Sequence, residues 1–411
     1  MRKTLLRFAG PCIAALAVAL PADGQTVINV PPDEAPTAIG SDTQLNLFEA
    51  GSIPNKFNAG SPNGFSTNVE VNVSGGTVGT DFLAMAAEVT ISGGTIGNNF
   101  STRQGSTLNI SGGTFVYNIF AVDSMVNITG GAFPGHFTAR DSTVNISGGV
   151  FELSVDMVRS TLNISGGLVG TNEDGSTNLV WDNSTVNITD GTVGPFFARE
   201  GTTVTITGGT VEEFFTAVTG ATVDVFGGVL KGSFRVRVGG TVNLFGGTVE
   251  RMENSIGIDV TDGGTVNIAG GTVDSAIELG PGGMVNISGG ALDVSFNARN
   301  GSTLNIFGTE FLLDGLPIAG LDDVGDSVIL TGRDGAMLQA TLRDGKSFDF
   351  PVSTDRFHAD ATLRLILAEP VPEPSTLGLA LLATLGLSIR QPRRRRRTGQ
   401  RPIHNRCDFF N

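Results

Sequence analysis

Thirteen times between residues 71 and 309 the chain repeats one phrase: aliphatic, polar, aliphatic, small, Gly-Gly, then Thr-Val or a close variant. The first copy reads Val71-Asn72-Val73-Ser74-Gly75-Gly76-Thr77-Val78, and the twelfth reads Val285-Asn286-Ile287-Ser288-Gly289-Gly290-Ala291-Leu292. Ten of the twelve intervals between first-glycine positions are 18 or 19 residues, and the other two are 24. Asp190 replaces the first glycine once. A period this regular makes each repeat one structural coil stacked on its neighbours, so it overrides the two or three globular domains that 411 residues would allow.

Inside each copy, two aliphatic positions flank one polar position, and that polar residue is Asn in ten copies, from Asn72 to Asn305. Apolar, polar, apolar is the period-two signature of a strand with one buried face. The glycine pair then turns the chain, and Thr-Val begins a second short strand. Seven positions past the first glycine stands Phe82, Phe100, Phe137, Phe215, Phe234 or Phe296, with Ile119, Val155 and Ile277 substituting. A Gly, Asp or Ser corner closes the coil. Three strands per coil predict an all-β chain: a single-chain parallel β-helix (a β-solenoid) of about 13 coils, with Phe over Phe in a dry interior. The aliphatic spacing does not fit the every-sixth-residue rule of left-handed hexapeptide coils, which favours a right-handed one.

Residues 25–70 carry one atypical copy, Leu45-Asn46-Leu47-Phe48, and read as an N-terminal cap ahead of the repeats at 71–309. Residues 310–369 lose the repeat but hold strand-like runs at 327–330, 337–342, 348–352 and 362–367, with Asp344-Gly345 as a hairpin turn. This predicts a small antiparallel C-terminal module.

The formal net charge is −14. Residues 1–24 hold three basic and one acidic side chain and residues 371–411 hold eight and two, so the stretch between carries −22. A body that acidic is a poor partner for nucleic acid, since phosphate binding depends on Lys and Arg. Cys12 and Cys407 are the only cysteines and both lie in the terminal segments. With none in the body, disulfides, a Cys-based zinc site and a Cys nucleophile are excluded from it.

Both ends read as addresses. Arg2, Lys3 and Arg7 precede an apolar run from Phe8 to Leu20 and then Pro21-Ala22-Asp23-Gly24, the order of a secretory signal peptide for the Sec translocon, cleaved after Gly24. At the other end Pro372-Glu373-Pro374 leads into an apolar run, Thr376 to Ile389, followed by Arg390, Arg393, Arg394, Arg395, Arg396 and Arg397. A rigid spacer, a short apolar helix and a cationic stop hold arginines on the cytoplasmic side. The ordered triplet at 370–397 resembles the PEP-CTERM sorting signal. The resemblance implies an exosortase-type transpeptidase as partner, transient inner-membrane anchoring, cleavage near Pro-Glu-Pro, and release to the surface or matrix of a biofilm-forming bacterium. Residues 398–411 would remain as a cytoplasmic tail.

The Asn column points outward, where stacked amides can hydrogen-bond along the axis; seven of its members also fit the Asn-x-Ser/Thr acceptor pattern, which repetition alone explains. Arg103, Arg140, Arg237 and Arg299 share one corner, ten positions after the first glycine, with Arg199 close by. A row of arginines can contact acidic polysaccharide, although a solvated corner explains it as well. Catalysis finds little support. His136 and His358 lie far apart, and no Gly-x-Ser-x-Gly elbow occurs. Neither a cofactor nor a metal is expected, and the phenylalanines read as core. The expectation is an exported, non-enzymatic structural or adhesive protein associated with exopolysaccharide. The alternative is a polysaccharide lyase or hydrolase on a β-helix scaffold, its site near the 24-residue coils, whose insertions fall at Asn172–Asn178 and Glu253–Gly257.

Overall fold

The computed structural model describes residues 24–63, 65–170, 179–212, 214–251, 257–331, 335–352, 357–358 and 360–371. Within them every regular element is a strand, and the body is a parallel β-solenoid. Its longest column runs through fifteen rungs, from Thr26–Val30 to the strand beginning at Thr303, which makes fourteen turns. Rungs pair position for position: Asn127 with Asn145, Asn145 with Asn163, Asn163 with Asn187. Both 24-residue coils keep this register. Their extra residues, 171–178 and 252–256, lie outside the described set.

Alternation explains each rung. In Thr143–Ile146 the side chains of Val144 and Ile146 are fully buried while Thr143 and Asn145 are half-buried on the outer face. The two glycines that follow are needed for different reasons. A Cβ on Gly112 would lie 2.4 Å from the Ser92 carbonyl oxygen of the coil beneath, and Gly113 has φ +89, where side chains are strained. The chain then enters a two-residue strand such as Thr114–Phe115 and a third strand such as Ile119–Val122, each again in parallel register with its neighbours.

Inward positions form unbroken columns. Phe57, Phe82 and Phe100 stack at 5.4 and 4.6 Å between ring centroids, Phe115, Phe133 and Phe151 at 5.0 and 4.2 Å, and Trp181, Phe196, Phe215 and Phe234 at 4.4, 4.9 and 4.7 Å. Stacked rings are worth about 0.5–1.5 kcal/mol per pair beyond the area they bury. Trp181, fully buried, donates its indole N–H to the Val155 carbonyl at 3.1 Å. Not every phenylalanine is core, however. Phe48, Phe226 and Phe245 are 44%, 54% and 48% exposed, because they occupy the usually small position just after the first strand, which faces outward.

The asparagines form a one-way ladder. The amide nitrogen of Asn127 donates to Asn109 at 2.9 Å, and Asn145, Asn163 and Asn187 each donate to the preceding member at 2.8 Å. Asn46 and Asn72 continue the pattern at the N-terminal end, and Asn267, Asn286 and Asn305 at the C-terminal end. Every bond points toward the N-terminus, so the first member of a run needs only to accept. Carboxylates serve as that acceptor twice, Asp224 from within the column and Glu88 from two residues before it. Asn243 donates to Asp224 at 2.6 Å, and Asn109 donates to Glu88 at 3.3 Å. Thr90 and Thr205, which stand in the column where no such bond is made, divide it into three runs.

The ends differ from the repeats. Thr26–Val30 and Thr43–Leu47 are true rungs in register with Val69–Val73, and Pro31-Pro32 follows the first of them. At the far end Ala336–Leu342 and Ser347–Val352 form an antiparallel hairpin closed at Gly345 (φ +80). The strand Thr362–Leu367 pairs in parallel with Thr303–Gly308, adding a further rung, so the C-terminal module mixes both senses. Phe348, Phe350 and Phe357 close over Phe296 and seal the core. Asp344 at the hairpin tip accepts from the Gly290 amide at 2.7 Å, on the last glycine pair of the solenoid.

Two substitutions test these constraints. Gly112→Ala is expected to destabilise by about 1–3 kcal/mol in chemical denaturation, because the new Cβ meets backbone that cannot swing away. Asn145→Asp is expected to cost about 1 kcal/mol at neutral pH by setting a carboxylate against the Asn127 carbonyl oxygen. That repulsion raises the folded pKa of the new carboxyl above its unfolded value of about 3.9, so the penalty fades as pH falls and the acid regains a proton to donate. Midpoints of variant and wild type compared at two pH values check this, and an equal gap at both would overturn it.

Candidate functional site

The third strand of each coil ends at the corner that carries the arginines. Its buried side chains, such as Phe137 and Ala139, fix the strand, and Arg140 is the first residue to leave the core. Register and backbone hydrogen bonds put the five corner arginines in one column along the axis. Arg103 pairs with Met85 and Arg140 with Val158, while the amides of Arg199, Arg237 and Arg299 donate to Trp181, Ala217 and Leu279 one coil below. The column is therefore Arg103, Val122, Arg140, Val158, Asp182, Arg199, Val218, Arg237, Thr261, Gly280, Arg299. Arginines are never on adjacent coils. Steps of two or three coils separate them by roughly 10 to 15 Å, from a rung spacing of about 4.8 Å.

Their surroundings differ. Arg103 is exposed and its Nε reaches Ser101 Oγ at 3.3 Å. Arg199, also exposed, lies 6.0 Å from the Phe197 ring centroid. Arg237 donates to Asp259 at 2.8 Å, and Arg235 stands 3.7 Å from the same carboxylate oxygen. Arg140 and Arg299 are exposed and, among the described residues, form no ion pair. Nearby, Arg159 grips Asp141 through two bonds of 2.8 and 2.7 Å. That double hydrogen bond, reinforced by the charges of Arg159 and Arg140, holds the Asp141 carboxyl below the ordinary carboxylate range.

One groove of about 270 Å³ opens on this corner, lined by Arg237, Asp259, Thr261, Glu278, Gly280, Pro281 and Arg299. Parallel register builds it. Arg235, Asp259, Glu278 and Asn297 form one outward row, and the Asn297 amide donates to Glu278 at 2.8 Å. Neither Asp259 nor Glu278 stood out in the sequence, because each follows an ordinary apolar residue. Only the register of two coils with unequal lengths aligns them.

His136 has partners that the sequence does not reveal. Its Nδ1 lies 2.8 Å from Ser154 Oγ, which donates to Asp156 at 3.0 Å. The hydroxyl sits between the two, so the carboxylate cannot orient the imidazole as a nucleophilic triad requires. Among the described residues no three His, Cys, Asp or Glu side chains gather in a way that could hold a metal ion.

The Asp141–Arg159 pair gives a direct expectation. In an NMR titration of the Asp141 side-chain carboxyl, the wild type should titrate at lower pH than an unpaired aspartate, and Arg159→Gln should return it toward the ordinary value. The folded pKa is depressed, so whatever stability the pair adds is present above the unfolded pKa and lost as pH falls through the folded one.

No curated protein and no solved structure matches the chain. Among the described residues no helix is long and apolar enough to cross a membrane, and the apolar run Thr376 to Ile389 lies outside them, as do Pro372, Glu373, Pro374, Arg390 and Arg393 to Arg397. Residues 370–395 match the PEP-CTERM protein-sorting motif. The chain thus carries a sorting signal that marks an exported protein, held transiently at the membrane and processed by an exosortase.

Proposed function

We propose that this protein is a non-enzymatic structural or adhesive component of the cell surface or biofilm matrix, associated with exopolysaccharide. The observation that carries the reading is the union, in one chain, of an export signal with a solenoid of fourteen turns. A parallel solenoid sets corresponding outward positions in line along its axis, which suits repeated weak contacts with a repetitive polymer. Binding of that kind gains affinity from the number of contacts and needs no single deep pocket. Arg103, Arg140, Arg199, Arg237 and Arg299 supply contacts of the right chemistry, since guanidinium groups pair with carboxylates through two parallel hydrogen bonds. The Asn ladder adds nothing to this surface, because each of its amides is engaged with its neighbour.

The groove gives a specific reason to keep a second reading, a polysaccharide lyase or hydrolase. It places Asp259 and Glu278 on successive coils beside two arginines. Against it, Asp259 is neutralised by Arg237 and Glu278 is held by Asn297, so neither carboxyl is set apart as a proton donor.

Mixing residues 25–369 with the producing organism's exopolysaccharide and following the polymer by light scattering separates the two. A constant or rising molar mass with co-eluting protein is expected. A fall in molar mass would replace the structural reading with the enzymatic one.

A further inference from the structure

The groove at the corner of the last coils has features that the rest of the arginine column lacks. Four charged side chains line it, Arg237 and Arg299 against Asp259 and Glu278. Their charges sum to zero, within a body that carries strong negative charge overall. Arg237 and Arg299 stand three coils apart, one toward each end of the groove, at roughly 14 Å on the rung spacing of a sheet. Between them the column drops to Thr261 and Gly280. A Cβ on Gly280 would come within 2.7 Å of Thr261 Oγ1, so the floor of the groove is bare backbone.

Arg237 is committed to Asp259 at 2.8 Å, but the other guanidinium of the groove is not committed. Arg299 is exposed and forms no ion pair among the described residues. An exposed guanidinium without an anionic partner at the end of a groove favours a ligand that brings a carboxylate. The two carboxylates set the opposite requirement. They repel a ligand that is anionic throughout and accept hydrogen bonds from neutral hydroxyls.

We infer that this groove binds a short stretch of uronic-acid polysaccharide. One sugar carboxylate would sit on Arg299 and a second group of acceptors on Arg237, while sugar hydroxyls donate to Asp259 and Glu278. A uronate meets both demands because each residue combines one carboxylate with several hydroxyls. This inference rests on the proposed association with exopolysaccharide and narrows it to one ligand class and one place on the rod.

The test uses the full-length chain in detergent micelles and calorimetric titration with tetragalacturonate and with its carboxyl-reduced counterpart. Wild type is expected to bind the acidic tetramer at least tenfold more tightly than the reduced one. Arg299→Gln is expected to lose tenfold or more, while Arg251→Gln, which removes the same charge outside the groove, stays near wild type. Thermal unfolding midpoints of the two variants, measured alongside, exclude a folding defect as the cause. Equal affinity for both tetramers, or equal losses in both variants, would overturn the assignment. If the intact exopolysaccharide still binds and Arg299→Gln leaves that unchanged, the groove is wrong and the wider reading stands. If no glycan binds at all, both fall.

Discussion

Everything in this molecule depends on hydrogen bonding between consecutive parallel rungs, which sets each residue of one coil directly over the same position of the next. Parallel pairing at about 4.8 Å leaves no room for a change of register, because a one-residue slip would turn every buried side chain outward. Chemistry that recurs along the sequence therefore recurs along the axis. The ring stacks from Phe57 to Phe100 and from Phe196 to Phe234 follow from this, and so does the asparagine ladder.

The same constraint explains the conserved shape of the turn within the chain. Coils at 18 or 19 residues lie so close at the glycine pair that a Cβ at the first position would strike the carbonyl of the coil below, while the second position needs a left-handed backbone. Asp190 departs from this pattern once, and its carboxylate accepts from the Gly191 amide at 2.8 Å. Growth by stacking has no natural end, so the ends are built differently. Two prolines follow the first rung, and the C-terminal module turns antiparallel, covers Phe296 with three further rings and places Asp344 on the open glycine turn. An exposed parallel edge would recruit other chains.

Along the outer surface, repetition and variation serve different ends. The ladder uses its polar groups on itself and stiffens the rod. The corner after the third strand is where residues differ from coil to coil, and there the arginines, the groove and the Asp141–Arg159 pair collect. The sorting signal at 370–395 marks an exported protein, and that variable corner is exported with it.

Period, alternation and the glycine pair were enough to determine the strand positions, the parallel stacking, the inward phenylalanine column and the outward asparagines, since each depends on local steric rules that every copy repeats. The Pro-Glu-Pro segment with its apolar run and arginines was legible for a similar reason, being contiguous. What only the tertiary structure decided is whatever depends on contacts between coils whose spacing or composition breaks the repeat. Thr26–Val30 is a rung although no glycine pair follows it, and Thr362–Leu367 rejoins the solenoid after more than fifty residues of other structure. Phe226 and Phe245 face outward because register, rather than hydrophobicity, assigns the position before the glycines. The one-way sense of the ladder, and the use of Asp224 and Glu88 as its starting acceptors, requires knowing which amide lies above which. Arg237 and Arg299 are 62 residues apart in sequence, yet they face one groove with Asp259 and Glu278. Local sequence rules carry no information about what stands a coil above, and that vertical neighbour is the one that forms the site.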